Sequence, residues 1–213
     1  MDITLYYTPQ TRSVRPRWLL EELGVPYQLE HIDLYAGGGE SEAYKAINPL
    51  GAVPALKVDD DVMLESGAIC HWLTDIFIDK GMAPHIDDRS RMAYEQWMMF
   101  SQATLEMQPW LIFLHSRVLP ESQRVEAIVP WALRYNRRFL KMLNDELTGK
   151  NFLLGDQFTT ADIMVGSTLM WLAEALNKYP DLIDYVQRLK QRPAYIRAIN
   201  EDTVMETSRE ETV

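Results

Sequence analysis

Residues 51–66 read GAVPALKVDDDVMLES, and this stretch sets the fold. Gly51 and Ala52 open it as a turn, and Pro54 stands where a strand begins. Proline lacks a backbone N–H and has a fixed φ. Val53-Pro54 is therefore either the start of an edge strand or a cis turn. Ala55, Leu56, Lys57 and Val58 make a short strand, Asp59, Asp60 and Asp61 a turn, and Val62, Met63 and Leu64 the returning strand. Glu65 and Ser66 come next, ahead of Ala68, Ile69, Trp72 and Leu73, whose spacing is helical. Ser66 is placed as the N-cap of that helix, and free amides at such an end attract anions.

Upstream, Ile3, Thr4, Leu5, Tyr6 and Tyr7 form a β-rich run that stops at Thr8-Pro9. From Ser13 the pattern turns helical, with Val14, Trp18 and Leu19 on one face and Gly24 as the stop. Pro16 falls in the first turn, where proline is tolerated. Residues 27–32 alternate and predict a second strand. A glycine-rich loop containing Gly37, Gly38 and Gly39 follows, read as flexible surface, and 41–47 predict a short helix stopped by Asn48-Pro49. The third helix should run to about residue 78. The order β-α-β-α-β-β-α is thus complete in fewer than 80 residues. A strand-helix-strand start implies a parallel pair with a right-handed crossover, and the closing hairpin adds antiparallel strands. The expected product is a mixed sheet with helices on both faces.

Beyond a linker at 80–88 no convincing strand recurs, so 89–213 is expected to be an all-helical domain. A long helix over 89–114 carries Trp97, Phe100, Thr104, Met107 and Leu111 on one stripe, and Pro109 should kink it or start a new segment. A second covers 124–147 with near-heptad apolar spacing. Thr159 with Asp162 three residues later forms a capping box, with Phe158 placed to staple the first turn. Helices over 182–191 and 193–200 complete the domain, and the tail from Glu201 is acidic and poor in apolar residues.

Composition excludes several function classes. The net charge of −10 argues against a general binder of nucleic acid or anionic membrane. Arg12, Arg15 and Arg17 are a local exception. The four histidines show no metal-ligand spacing. Cys70 is the single cysteine, which rules out an internal disulfide framework and a Cys-x-x-Cys pair and fits a reducing, cytoplasmic setting. No basic-then-apolar pattern follows Met1, so a secretory signal is not expected, and no run approaches the roughly 18 to 20 apolar residues of a membrane helix.

NPLGAVPAL followed by ES, the YYTPQTRSVRPRWLLEELG tract and the late NFLLGDQFTTADIMVGS stretch together resemble glutathione transferases, in that family's order and over essentially the whole chain. The resemblance implies a thioredoxin-like glutathione-binding domain over residues 1–79 and an all-α domain over 89–213. It implies a cis Pro54, with the Val53 backbone, next to Ala52, pairing with the cysteinyl part of glutathione. Glu65 would hold the γ-glutamyl ammonium and Ser66 its carboxylate. Tyr35, Lys45 or a partner-subunit residue would take the glycyl carboxylate. It implies glutathione as co-substrate, no metal, and a homodimer. The first tract is most similar to bacterial forms, including the beta class, but Arg12 stands at the beta-class cysteine position.

In that family glutathione attacks as a thiolate. A free thiol has a pKa of about 8.5, and lowering it by about two units needs roughly 2.7 kcal/mol of preference for the anion. One hydrogen bond from a good donor to a charged group supplies roughly 1.5 to 3 kcal/mol, and a helix N-terminus roughly 0.3 to 1. One donor at the start of the first helix is nearly sufficient. Thr11 is the first choice and Ser13 the second, with helix capping as the competing role of Ser13. Arg12 offers charge. The electrophile pocket is expected between the domains, with Tyr94, Trp97, Met98, Gln102 and Trp110 as candidates, although most of such a stripe is core. The activity implied is conjugation of glutathione to a small hydrophobic electrophile. The alternatives are glutathione-dependent disulfide or peroxide reduction, and a non-catalytic binding module.

Overall fold

The computed structural model describes residues 1–200. The acidic tail from Glu201 lies outside the described residues. The chain divides into two compact units, one comprising Met1–Lys80 together with the segment that begins at Gln191, the other Gly81–Lys190.

The first unit is built on a four-stranded sheet. Its strands are β1 (Ile3–Tyr7), β2 (Gln28–His31), β3 (Ala55–Val58) and β4 (Asp61–Leu64), in the order β2-β1-β3-β4. β1 and β2 run parallel, and the β1–β3 and β3–β4 pairs are antiparallel. The expected mixed sheet is therefore observed, with three helices in the expected places: α1 (Val14–Leu23), α2 (Glu42–Lys45) and α3 (Ser66–Ile76). Alternation in β1 explains its burial, since Ile3, Leu5 and Tyr7 are buried and Thr4 and Tyr6 are only partly so. Gly24 ends α1 in the left-handed conformation and donates its N–H to the Leu20 carbonyl, as the sequence requires of a helix stop.

The glycine-rich loop is not a free surface loop. Gly39 is buried, and a Cβ there would lie 2.2 Å from the Gly51 carbonyl oxygen. The two backbones approach so closely that only glycine fits. This contact holds the loop against the turn that opens β3.

The last helix of the described chain, α9 (Pro193–Ile199), packs on α1. Trp18 and Tyr195 meet edge-on with centroids 4.8 Å apart. Glu22 accepts a forked pair from Arg192, at 2.6 and 2.8 Å, and the Trp18 indole N–H at 2.9 Å. Glu21 binds Arg197 at 2.6 Å and the Tyr27 hydroxyl at 2.6 Å. Residues 191–200 thus pack with the first unit. The Glu22 side chain is 10% exposed, so its forked pair is poorly screened. Glu22→Gln leaves the fork without its charge and is expected to cost about 1 to 2 kcal/mol, read as a lower urea midpoint.

The second unit contains α4 (Arg91–Met99), α5 (Met107–Phe113), α6 (Ile128–Leu147), α7 (Thr160–Trp171) and α8 (Pro180–Lys190). The expected 89–114 helix is present as α4 and α5 joined by a π-helical stretch, Phe100–Leu105, and followed by another, Leu114–Val118. Pro109 sits in the first turn of α5 and cannot donate to the Leu105 carbonyl four residues back. The widened ladder ends at that point, with Glu106 N–H donating to Ser101 O. α6 starts at Ile128, four residues later than expected, because Pro130 is tolerated only in a first turn. α7 carries the expected capping box. The Asp162 carboxylate accepts the Thr159 N–H at 2.8 Å, and the helix is buried along most of its length. None of the described helices is long and apolar enough to cross a membrane.

Candidate functional site

Register brings the predicted residues of the first unit to one end of the sheet. Tyr6 pairs with Ala55, and Ala55 pairs with Leu64. The segment leaving β1, the segment entering β3 and the segment leaving β4 therefore emerge side by side. These are residues 8–13 with Thr11, Arg12 and Ser13, then Ala52, Val53 and Pro54, then Glu65 and Ser66. The Val53-Pro54 peptide is cis.

Ala52 is exposed, and its carbonyl is pinned by the Tyr44 hydroxyl at 2.7 Å and the Asn48 amide at 2.6 Å. This fixes the backbone that leads into Val53. Lys45, one candidate for the glycyl carboxylate, pairs with Glu40 at 2.6 Å, and Tyr35 is exposed.

Ser66 is buried and is the first residue of α3, not its cap. Glu65 occupies the cap position at φ 71°, ψ 112°, and makes no side-chain cap bond. This is a left-handed φ that a non-glycine residue adopts only where its surroundings hold it, and such residues gather at ligand sites. The exposed Glu65 carboxylate is thereby left outside the helix while the α3 amides stay open.

The loop after β1 is closed by its hydroxyls. Ser13 is fully buried, accepts the Thr8 N–H at 3.1 Å and lies 2.9 Å from the Thr8 carbonyl. It does not cap α1: its backbone is helical, and it makes no capping bond. Thr11 Oγ1 lies 2.8 Å from the Thr8 carbonyl and 2.8 Å from Ser13 Oγ, and accepts the Ser13 N–H at 3.2 Å. The two hydroxyls have two protons for three contacts. If Ser13 donates to Thr8 O, the Thr11 proton is left to choose between internal acceptors and an anion outside. Thr11 is half-buried, unlike Ser13. Arg12 is also half-buried, and Gln10 at the crest of the loop is exposed.

Tyr7 packs in the core of the first unit. Its hydroxyl donates to the Ala198 carbonyl at 3.4 Å, and the Arg17 guanidinium lies 4.7 Å from its ring. Tyr6 is half-buried, and burial together with Glu30 pushes its phenol up. Cys70 is fully buried and its thiol is pushed up to about 12 by burial, against a smaller pull from Arg15, so it is not a nucleophile at neutral pH.

Two features of this end were not read from sequence. Thr8 supplies both the N–H and the carbonyl around which the loop closes. Arg15 is fully buried, with a guanidinium N–H 3.4 Å from Ser66 Oγ. The Arg12, Arg15 and Arg17 cluster was legible as positive charge, but its burial was not.

The five electrophile-pocket candidates lie in the second unit. Tyr94, Trp97 and Met98 are buried, Gln102 is half-buried and Trp110 is 41% exposed. Arg91 covers the Tyr94 ring at 4.9 Å, and Trp97 meets Phe100 edge-on at 5.5 Å.

A thioredoxin-like sheet whose one end gathers these three segments, followed by a helical unit, defines the class to which the comparisons point. Residues 11–76 match the family model of the glutathione S-transferase N-terminal domain, and 132–197 that of the C-terminal domain. Glutathione S-transferase 3 of Schizosaccharomyces pombe is 31% identical over 178 residues, covering 75% of this chain and 70% of that protein. A glutathione transferase from Methylococcus capsulatus is similar in structure, with a TM-score of 0.82, 29% identity, and coverage of 95% of this chain and 99% of that one. A sphingomonad glutathione S-transferase complexed with glutathione has a TM-score of 0.80, 26% identity, and coverage of 94% and 98%. The chain belongs to the glutathione S-transferase family and is an enzyme of that transferase class.

Proposed function

We propose that this protein binds glutathione at the end of its sheet and conjugates it through its thiolate sulfur to a small hydrophobic electrophile, as a homodimer in a reducing cytoplasm. The observation that carries the reading is the half-buried Thr11 hydroxyl, held by Ser13 and Thr8 at the head of α1. Its acceptor side is occupied by Ser13 N–H and its proton has an alternative partner, so it can turn to a thiolate at little cost. Beside it, the Val53 backbone pairs with the cysteinyl part, Glu65 takes the γ-glutamyl ammonium and Ser66 the carboxylate. The thiolate then forms the carbon–sulfur bond as the leaving group departs with its electron pair. The complex of the sphingomonad relative with glutathione supports the ligand. Gln102 and Trp110 are the candidates with surface to offer the electrophile, and Tyr94, Trp97 and Met98 would act from beneath them.

The test is retention on immobilised glutathione, followed by an ultraviolet titration of the bound thiol. The thiol is expected to titrate about one to two units below its free value of about 8.5. Ser66→Ala should weaken binding by about tenfold without moving that titration. Failure to bind glutathione would sink the reading. Binding with an unshifted thiol would leave a non-catalytic module, and turnover of disulfides or peroxides in place of an arylating electrophile would leave a reductase.

A further inference from the structure

Recognition of the γ-glutamyl end sets an electrostatic problem. That end is an amino acid, with an ammonium and a carboxylate on one carbon. Glu65 answers the ammonium with a full charge. Ser66 and the α3 amides answer the carboxylate only with dipoles, and they do so beside Glu65 on a chain of net charge −10. A full positive charge nearby would restore the balance, and the fold buries one there. Arg15 sits in the first turn of α1, and α1 packs on α3. Its side chain is fully buried, and its guanidinium reaches Ser66 Oγ at 3.4 Å from the protein side. The thiol of Cys70, one turn along α3, also feels its charge.

We propose that Arg15 is a positioning residue for the γ-glutamyl carboxylate, acting through Ser66. A guanidinium N–H directed at a Ser66 lone pair leaves the hydroxyl proton pointing the other way, toward the ligand. A chain in which a cation donates to a hydroxyl that donates to an anion is mutually polarised. The contact is long, so the charge matters more than the bond itself. Low local dielectric keeps that charge effective at the depth of Ser66. Arg15 and Glu65 together would make the corner selective for a zwitterion over a simple anion or cation. This inference rests on the glutathione reading given above.

The test uses glutathione and γ-aminobutyryl-cysteinyl-glycine, which lacks only the γ-glutamyl carboxylate. Calorimetric affinities are measured for the parent, Arg15→Lys, Arg15→Gln, Ser66→Ala and the double variants. Arg15→Gln is expected to weaken glutathione by about tenfold, while the decarboxylated peptide binds parent and variant alike. Arg15→Lys, which keeps the cation, should recover part of the loss. Losses at Arg15 and Ser66 should add only in part, because the Arg15 charge reaches the carboxylate both through the Ser66 hydroxyl and directly. An Arg15 variant that weakens both peptides equally, or neither, overturns the inference.

Where an Arg15 variant does not fold, Ser66→Ala alone decides. A charge behind the serine predicts that a preference for the carboxylate of about fivefold survives loss of the hydroxyl. Its complete loss overturns the inference. A parent that binds neither peptide removes the glutathione reading itself. A parent that binds glutathione without Arg15-dependent discrimination removes only this one.

Discussion

Asp162→Ala is expected to lower the stability of the second unit by about 3 to 5 kcal/mol, the largest effect of any single substitution considered. The Asp162 side chain is fully buried and joins three parts of the unit. One oxygen accepts the Leu153 N–H at 2.9 Å and the Tyr185 hydroxyl at 2.9 Å. The other accepts the Thr159 N–H at 2.8 Å and the Thr159 hydroxyl at 3.2 Å. Alanine leaves two backbone donors and two hydroxyls without this acceptor in a dry interior, where each orphan costs about 1 to 3 kcal/mol before relaxation. A urea titration followed by far-UV circular dichroism measures the loss, and a decrease below about 1 kcal/mol would contradict this account.

Asp162→Asn separates charge from shape. Burial pushes the Asp162 carboxyl up to about 6, outweighing the four donors that favour the anion. Because the folded-state value lies above that of the unfolded chain, the folded state holds the proton longer. The stability that this group contributes is therefore greatest below about pH 4 and declines as pH rises to about 6. Asparagine does not titrate. The stability gap between parent and Asp162→Asn should accordingly narrow between about pH 4 and about pH 7. A gap that widens with pH would show that the donors prevail over burial.

Thr11→Ala is expected to raise the pKa of bound glutathione by about one to two units, the loss of one donor to an anion. Turnover near neutral pH should then fall by about 10- to 100-fold, and the deficit should shrink above about pH 9, where the thiol ionises unaided. Thr11→Ser keeps the donor and should keep the profile. Ser13→Ala should behave differently. Its hydroxyl serves Thr8 from a fully buried position, so its loss loosens the loop and weakens binding before it moves the profile. A pH–rate profile displaced by Ser13→Ala and untouched by Thr11→Ala would transfer the role to Ser13.

The capping box at Thr159 and Asp162 was legible because both partners lie three residues apart on one turn. The sequence reading could name the cap, but not the Leu153 and Tyr185 donors that make it costly to remove. At the sheet end, residue type left Val53-Pro54 open between an edge-strand start and a cis turn, and the family resemblance implied the cis form and the Glu65-Ser66 corner. The role of Ser13 was not legible. Capping and folding back onto Thr8 use the same side chain and differ only in a backbone rotation that composition does not report. Ser66 was displaced by one position for a related reason, since the left-handed φ of Glu65 carries no signal in residue type.

By itself the sequence determined the strand-helix order of the sheet unit, because alternation, helical spacing, prolines and caps act within a few residues of each other; the candidates for binding glutathione came with the family resemblance. Tertiary structure decided what depends on remote pairing. It carried residues 191–200 back onto α1 through Glu22–Arg192 and Glu21–Arg197, across 170 and 176 positions of sequence. It closed Gly39 against Gly51, and it buried Arg15 against Ser66 across 51 positions. Such contacts form only once loop closure has been compensated by burial elsewhere, so no short window of sequence contains them.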